Sequence, residues 1–199
     1  MSLHFILGGS GSGKSTLARL MIGLERPSEG RVLINGVDTT KWGLREWRKY
    51  RGKIQAVFQD AGGTLNPSWS TSKNVEEALV NLTNLSPSQR KNRIAELMEQ
   101  TGLSKNLLDT PVRKLSGGEQ RRLALLRSLS ISPEFLILDE VTAGLDLIST
   151  EAVLQLLEKY EQEHDCAYLV ITHDIQVASR LCEVIYEIEH GKFTKKAVR

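Results

Sequence analysis

The chain has 199 residues, of which 40% are hydrophobic and 25% are charged. These proportions are ordinary for a soluble globular protein, and the length is sufficient for one substantial hydrophobic core. Lys and Arg number 26 against 24 Asp and Glu. The resulting formal net charge of +2 is too small to indicate a nucleic acid or an anionic membrane as partner.

Other features exclude further classes of protein. No apolar run approaches the roughly 18 residues that a membrane-spanning helix needs. The first residues, Met1 to His4, lack the basic start of a secretory signal. Cys166 and Cys182 have neither metal-site nor redox spacing, so both are expected to be buried free thiols. We therefore expect a protein of the cytoplasm.

Apolar runs and turn residues divide the chain into strands and helices. Short apolar runs bounded by glycine or polar residues predict strands, and apolar residues three and four apart predict helices. In chain order we predict a strand at 3–7, a helix at 14–22, a strand at 31–34, a partly helical segment at 41–53, a strand at 54–58, helices at 72–85, 89–101 and after 116, a strand at 135–138, a helix at 149–162, and strands at 168–171 and 184–188, the last followed by a turn at 190–192. The later alternation of strand and helix implies a parallel sheet with right-handed crossovers, whereas Asn35-Gly36 indicates a small antiparallel hairpin.

A phosphate-binding loop follows the first strand. Gly8, four residues, Gly13, Lys14 and Ser15 match the phosphate-loop pattern between a predicted strand and a predicted helix, which a Gly/Ser-rich linker would not do. Glycine allows backbone N–H groups to surround a phosphate, Lys14 reaches the β and γ oxygens, and Ser15 offers its hydroxyl to Mg²⁺. The candidate nucleotide-binding residues are Gly8, Gly9, Ser10, Gly11, Ser12, Gly13, Lys14, Ser15 and Thr16.

Two acidic residues end the strand predicted at 135–138. Asp139 can hold the Mg²⁺ shell beside the phosphate loop, and Glu140 is placed to act as a base. Alone, such a pair is merely the end of a strand. With a phosphate loop in the same chain, the pair predicts the second half of a nucleoside triphosphatase site.

A third motif, Leu115-Ser116-Gly117-Gly118-Glu119, precedes a helix that is rich in arginine. A helix N-terminus attracts anions, although the same pattern also describes an ordinary cap before a solvated basic face. The position of this motif among the other motifs of the chain decides between an anion-binding site and an ordinary helix cap.

The chain carries, in this order, the motifs and residues GSGSGKST, Gln59, LSGGE, LILDE, Leu145-Asp146 and His173. This set and order of motifs resembles that of the ATP-binding-cassette (ABC) ATPases. The resemblance extends over almost the whole chain. It implies one α/β domain at 1–199, with a P-loop core of mostly parallel sheet at 1–71 and 130–199, a reduced antiparallel region, and an inserted helical subdomain at 72–129.

The same resemblance implies roles for single residues. Glu140, His173 and Gln59 would be catalytic, with His173 at the γ-phosphate and Gln59 linking Mg²⁺ and the attacking water to a transmembrane partner. Ser15, Gln59 and Asp139 would hold Mg²⁺, partly through water. The signature residues Leu115, Ser116, Gly117, Gly118 and Glu119 would contact ATP bound to a second subunit, and Asp146 would communicate across the dimer.

The stretches 57–60 and 64–67 are similar to the ABC subgroup that energises import of peptides or nickel, although Ala61 and Gly62 depart from its usual form. This resemblance implies ATP and Mg²⁺ as cofactors and a location on the cytoplasmic face of the membrane. It also implies a second ATPase subunit, permease subunits and an extracytoplasmic solute-binding protein as partners, and no nucleic acid. The alternatives are a soluble ABC ATPase acting on nucleic acid or ribosomes, and a regulatory subunit with weak activity.

Two further expectations concern aromatic residues. Family members carry an adenine-stacking aromatic residue before the phosphate loop, and this sequence starts too late to include it. We therefore expect weak discrimination of ATP from GTP, unless Trp42, Trp47 or a partner subunit supplies a substitute ring. The basic stretch 41–53 around those tryptophans is predicted to be a solvated helix face, with contact to nucleic acid or lipid headgroups as the alternative.

Overall fold

The structure is a computed structural model that describes residues 4–9, 11–60, 62–181, 184–189 and 191–198. The strands are β1 (His4–Leu7), β2 (Leu33–Ile34), β3 (Val37–Asp38), β4 (Ile54–Val57), β5 (Phe135–Asp139), β6 (Ala167–Ile171), β7 (Val184–Glu189) and β8 (Lys192–Val198). The α-helices are α1 (Lys14–Met21), α2 (Leu44–Tyr50), α3 (Thr71–Leu82), α4 (Pro87–Gln100), α5 (Gly117–Ser130), α6 (Leu147–Glu163) and α7 (Ile175–Leu181). Every strand and helix that the sequence predicts has a counterpart in this order.

Six strands form the main sheet in the order β4-β5-β6-β1-β7-β8. The first five run parallel, and β8 pairs antiparallel with β7. The α/β fold with a mostly parallel sheet is therefore confirmed. The hairpin of β2 and β3 turns at Asn35 and Gly36, both at positive φ, as a tight antiparallel turn requires.

The end of the chain differs from the prediction. Val184–Ile188 was predicted to be the last strand, but β8 follows it, and the pair is joined through Gly191 at a positive φ of 75°. Lysines and a threonine interrupt the apolar residues of β8 because an edge strand has one face and one edge in water. The segment therefore lacks the apolar run from which the central strands were predicted.

The central strands are buried on both faces because each alternate residue enters a different hydrophobic cluster. Residues of β1, β5 and β6 that face α3, α4, α5 and α6 are Phe5, Leu136, Leu138, Tyr168 and Val170. Residues of the same strands that face α1 are Ile6, Ile137, Leu169 and Ile171. Burial on both faces explains why these strands appear in the sequence as continuous apolar runs.

Helices α3, α4 and α5 occupy the segment predicted to be a helical insertion. Their buried side chains, including Leu79, Leu97 and Leu123, belong to the same cluster as Leu136 and Tyr168 of the sheet. The division of the chain at 72–129 stays a prediction. None of the helices in the described residues has the length and apolar composition that crossing a bilayer requires.

The aromatic residues of the basic segment 41–53 are used in packing. Trp47 is buried, and Trp42 contacts both Trp47 and Tyr50, with ring centroids 5.2 and 4.4 Å apart. The basic side chains of α2 are exposed, as predicted for a solvated face. Trp47 lies against Gly23, which follows the C-terminal end of α1, whereas Lys14 begins that helix. The length of the helix, about 12 Å, therefore separates the Trp47 ring from Lys14.

Gly23 provides the first testable prediction. It ends α1 at a φ of 71°, and a Cβ there would overlap the indole of Trp47. Gly30 has a similar φ of 78° with open space around it. Gly30→Ala should lower the free energy of unfolding by about 1–2 kcal/mol through backbone strain alone, and Gly23→Ala by about 1–3 kcal/mol more because the ring must shift. Equal losses in urea titrations of both variants would contradict this account of Trp47.

The cysteine prediction is confirmed for Cys166, which is a buried free thiol. Burial in apolar surroundings raises its pKa to about 12, so the thiolate is not formed at neutral pH. Cys182 lies outside the described residues.

Candidate active site

The polar residues predicted to act together lie at the carboxyl ends of neighbouring parallel strands of the main sheet. Backbone register pairs Val57 with Leu138, Leu138 with Val170, and Val170 with Phe5 across β4, β5, β6 and β1. Two residues further along the chain stand, in the same order, Gln59, Glu140 and Thr172, just past the ends of β4, β5 and β6, and Leu7, which ends β1 before the phosphate loop. Since neighbouring strands lie about 4.8 Å apart, the parallel sheet assembles these residues into one row.

The phosphate loop is closed by Lys14 and permits no side chain at Gly8. The Lys14 Nζ donates to the carbonyl oxygens of Gly8 and Gly9, at 2.6 and 2.7 Å, and lies 3.3 Å from the Ser12 Oγ. A Cβ on Gly8 would lie 2.7 Å from the Ile188 carbonyl oxygen of β7. The ammonium group is thus held over the mouth of the loop, where an anion would meet it.

Helix α1 differs from the longer helices at its N-terminus. Side chains cap α3, α4, α5 and α6, whereas α1 begins at Gly13, at a φ of 99°, with no side-chain cap and no acidic residue in its first turn. Its first backbone N–H groups and the positive end of its dipole are therefore left for another partner. With Lys14 beside them, that partner is an anion such as phosphate.

Asp139 and Ser15 form an oxygen-rich corner next to the loop. Asp139 is 3% exposed at the end of β5 and lies beside the Ser15 side chain, whose hydroxyl favours the ionised carboxylate. Burial raises the pKa of Asp139, and the Ser15 hydroxyl opposes that rise. A buried carboxylate and a hydroxyl beside a phosphate site are hard oxygen donors, so these residues fit Mg²⁺.

Glu140 is held in an uncommon backbone conformation. Its φ is +54°, its N–H donates to the Ile171 carbonyl oxygen at 2.8 Å, and its side chain is 14% exposed. Thr172 Oγ1 donates to one carboxylate oxygen at 3.3 Å, and His173 Nδ1 lies 3.0 Å from the other. A non-glycine residue at positive φ is kept there by surrounding structure, and such positions concentrate at functional sites.

The contact between His173 and Glu140 provides a second prediction. The hydrogen bond to Glu140 and the negative charge of its carboxylate raise the pKa of the exposed His173 imidazole above its usual 6.5. The interaction therefore stabilises the folded state below pH 6.5 and is lost as the pH rises through the raised pKa. In a histidine NMR titration without nucleotide or metal, Glu140→Gln should lower the His173 pKa toward 6.5. Glu151→Gln, which alters a carboxylate paired with Arg180, is the control that should not move it; equal pKa values in the wild type and Glu140→Gln would contradict the contact.

The signature segment caps α5. Ser116 is the N-cap, and its backbone N–H and its hydroxyl both donate to Glu119 Oε2 at 2.8 Å, while the Glu119 N–H donates back to Ser116 Oγ at 3.3 Å. These bonds lower the pKa of Glu119, with a smaller contribution from Arg122, so its carboxylate is ionised at neutral pH. Leu115 is buried in the main cluster, which leaves Ser116 and Gly117 exposed at the helix end.

Asp146 caps α6 next to this segment. Its carboxylate accepts from the Ser149 N–H at 2.8 Å and from the Ser149 Oγ at 2.9 Å, and these two bonds lower its pKa. Arg122 of α5 donates to the same Ser149 Oγ at 3.3 Å. The signature helix and the start of α6 therefore form one continuous surface within the subunit.

The structure thus separates the predicted site residues into two groups. The phosphate loop, Asp139, Glu140, His173 and Gln59 share the sheet edge, whereas the signature and Asp146 share the surface at the ends of α5 and α6. Among residues 8–9, 11–16 and 115–119, no hydrogen bond joins the phosphate loop to the signature. Ser10 lies outside the described residues.

Sequence reasoning missed Thr172 as a member of the site. It is buried and donates to Glu140, and its N-terminal neighbour Ile171 accepts the Glu140 N–H. Its signal in the sequence is its place directly after the apolar run 168–171 and before His173. Recognising that signal requires knowing that β5 and β6 are neighbours.

A parallel sheet whose strand ends hold a phosphate loop, a buried aspartate and a constrained glutamate defines a P-loop nucleoside triphosphatase. The family model described as ABC transporter matches residues 2–143. The chain belongs to the ABC transporter ATPase family and is an ATP-binding ATPase, as the order of its motifs predicted.

Similar proteins and structures support the assignment over the full chain. The nickel import ATP-binding protein NikE of Rhodospirillum rubrum is 37% identical over 192 residues, which cover 96% of this chain and 69% of NikE. NikE of Escherichia coli (strain K12) is 36% identical over 193 residues, covering 97% and 72%. The dimeric ATP-binding cassette MJ0796, in a post-hydrolysis state bound to ADP and Pi, is 32% identical with a TM-score of 0.91, covering 100% of this chain and 86% of MJ0796. CbiO1 from Clostridium perfringens, part of the ABC transporter complex CbiONQ, is 31% identical with a TM-score of 0.85, covering 99% and 77%.

Proposed function

We propose that the chain is the ATP-hydrolysing subunit of an importer and that nickel, free or chelated, is the transported substrate. The uncapped N-terminus of α1 carries the proposal for ATP, because Lys14 and the phosphate loop stand beside it and Glu140 lies two strands away. Nickel import rests on the similarity to NikE of two species over nearly the whole chain. Peptide import, the other option of the subgroup, has no comparable support among these relatives.

Each group at the sheet edge has a task in this function. The backbone of the phosphate loop and Lys14 bind the triphosphate, and Lys14 exchanges its bonds to Gly8 and Gly9 for bonds to phosphate oxygens. Glu140 takes the proton of the attacking water, and Thr172 and His173 orient its carboxylate. His173 also contacts the γ-phosphate. Ser15 and Asp139, with Gln59 through water, would hold Mg²⁺, which supplies neutralisation of the charge that develops on the phosphates.

A second subunit completes the site in this proposal. Ser116, Gly117 and Asp146 are exposed, and none of the hydrogen bonds of the described residues ties the signature to the phosphate loop, so these residues can approach ATP held by another chain. MJ0796, whose match covers 100% of this chain, is dimeric. ATP would thus join two ATPase subunits, and hydrolysis would release them.

That cycle implies further partners. We propose permease subunits that bind this chain at the cytoplasmic face of the membrane, as CbiO1 is part of a transporter complex, and an extracytoplasmic solute-binding protein that delivers the cargo. Gln59 stands at the free edge of the sheet, where a permease segment can reach it. The cargo itself is selected by these other subunits.

Reconstitution tests the proposal. The chain is purified with its permease subunits, placed in liposomes and supplied with the cognate binding protein. Nickel-loaded binding protein should stimulate ATP hydrolysis and drive nickel uptake, and Glu140→Gln should abolish both. Stimulation by peptides instead would make the protein a peptide importer subunit, and stimulation only by nucleic acid or ribosomes would place it outside transport.

A further inference from the structure

Glu119 stands where its charge opposes the function proposed for Ser116. One carboxylate oxygen of Glu119 accepts both the N–H and the hydroxyl of Ser116 at 2.8 Å. The hydroxyl proton that would bind a phosphate of the partner's ATP is therefore already used within the subunit.

The geometry also limits the distance between the two anions. A phosphate oxygen bound to the Ser116 hydroxyl lies about 2.8 Å from Oγ. While the Ser116 N–H holds Glu119 Oε2 in its place, 2.8 Å from Oγ, a phosphate oxygen at Oγ lies at most about 5.6 Å from the carboxylate oxygen. Arg122 directs a guanidinium N–H to Ser149 on α6, and none of the salt bridges among the described residues includes Glu119. No ion pair among these residues neutralises its carboxylate.

We infer that Glu119 weakens the ATP-dependent association of two subunits, both by holding the Ser116 hydroxyl and by placing a negative charge beside the nucleotide. This inference rests on the proposed function, because it assumes that the signature contacts ATP of a second subunit. Glu119 thus sets the ATP concentration at which the pair closes and favours its reopening. It is a positioning residue that acts through Ser116.

The chain contains a natural comparison for the uncharged form. Helix α4 begins with the same capping box, in which Gln89 takes the place of Glu119 and Ser86 that of Ser116. The Ser86 N–H donates to Gln89 Oε1 at 2.8 Å, as in α5, but the Ser86 hydroxyl lies 3.1 Å from the hydroxyl of Ser88. Glutamine therefore keeps the helix cap, and the serine hydroxyl pairs with another hydroxyl instead of with the side chain of the glutamine.

The test measures association as a function of MgATP in a Glu140→Gln background, where hydrolysis does not deplete the nucleotide. Glu119→Gln should lower the half-saturating MgATP concentration at least threefold. Two unit charges about 5.6 Å apart correspond to about 3-fold in affinity at the dielectric constant of water and about 100-fold at an effective value of about 20. The shift should shrink near 1 M salt, where the screening length falls to about 3 Å.

Gln89→Glu is the matched control, since it places the same charge in the capping box of α4 and should leave the half-saturating concentration unchanged. Damage to the fold cannot imitate the expected result, because damage weakens association. An unchanged or raised value for Glu119→Gln, in a background that still associates with MgATP, would overturn the inference alone. If Glu140→Gln does not associate at saturating MgATP, alone or with the second ATPase of its transporter, the proposed function fails, and the inference fails with it.

Discussion

Glu140→Gln is expected to lower the rate constant of ATP hydrolysis by about 10²- to 10⁴-fold, the usual contribution of a positioned general base. The amide cannot take the proton of the attacking water. It keeps the size of the carboxylate and can still accept the hydrogen bond from Thr172, so the affinity for MgATP should remain within a few-fold of the wild type. Single-turnover hydrolysis and equilibrium nucleotide binding measure the two quantities separately.

Glu134→Gln is the matched control for that change. Glu134 lies just before the opposite end of β5, where its carboxylate pairs with Lys53 at 2.6 Å in solvent. Its replacement should leave hydrolysis unaltered. Comparable turnover by Glu140→Gln and the wild type would remove Glu140 from the role of base.

Lys14→Ala is expected to abolish both binding and hydrolysis at ordinary nucleotide concentrations. Each hydrogen bond from the ammonium to a charged phosphate oxygen contributes roughly 1.5–3 kcal/mol, or about 10- to 150-fold in affinity. The nucleotide-free protein loses much less, since the ammonium serves the carbonyl oxygens of Gly8 and Gly9 at a partly exposed position. Thermal unfolding should therefore change little without ATP, and the stabilisation by MgATP should disappear.

Lys91→Ala, on the exposed face of α4, supplies the comparison for loss of one positive charge. MgATP should stabilise that variant as it does the wild type. Retained micromolar binding by Lys14→Ala would show that the phosphate loop does not hold the triphosphate in the manner described.

The central sheet was predictable because burial on both faces leaves a direct trace in the sequence. Strands such as 135–138 and 168–171 are continuous apolar runs, and the glycines after β1 announce the phosphate loop. The carboxyl ends of parallel strands lie along one edge of a sheet, so the proximity of Gly8, Asp139 and Glu140 followed from the pattern. Strand β8 left no such trace, since lysines and a threonine interrupt its apolar residues, as suits a strand at the edge of a sheet.

The contacts around Glu140 could not be predicted from local sequence. They depend on β6 lying beside β5, although 27 residues separate the two strands along the chain. Only that adjacency brings Thr172 and His173 to the carboxylate and fixes its positive φ. Likewise, the motif at 115–119 predicts a helix cap, but the contact of Arg122 with Ser149 requires α5 and α6 to pack together.

The molecular mass of the Glu140→Gln variant in solution, measured in the presence of MgATP, tests most directly whether two subunits share the site. Sedimentation should give a species of twice 22.2 kDa with bound ATP, and a species of 22.2 kDa with MgADP. If a different ATPase is the natural partner, the mixture of the two chains should show the same nucleotide dependence. A monomer at saturating MgATP, both alone and in the mixture, would contradict a site shared between subunits.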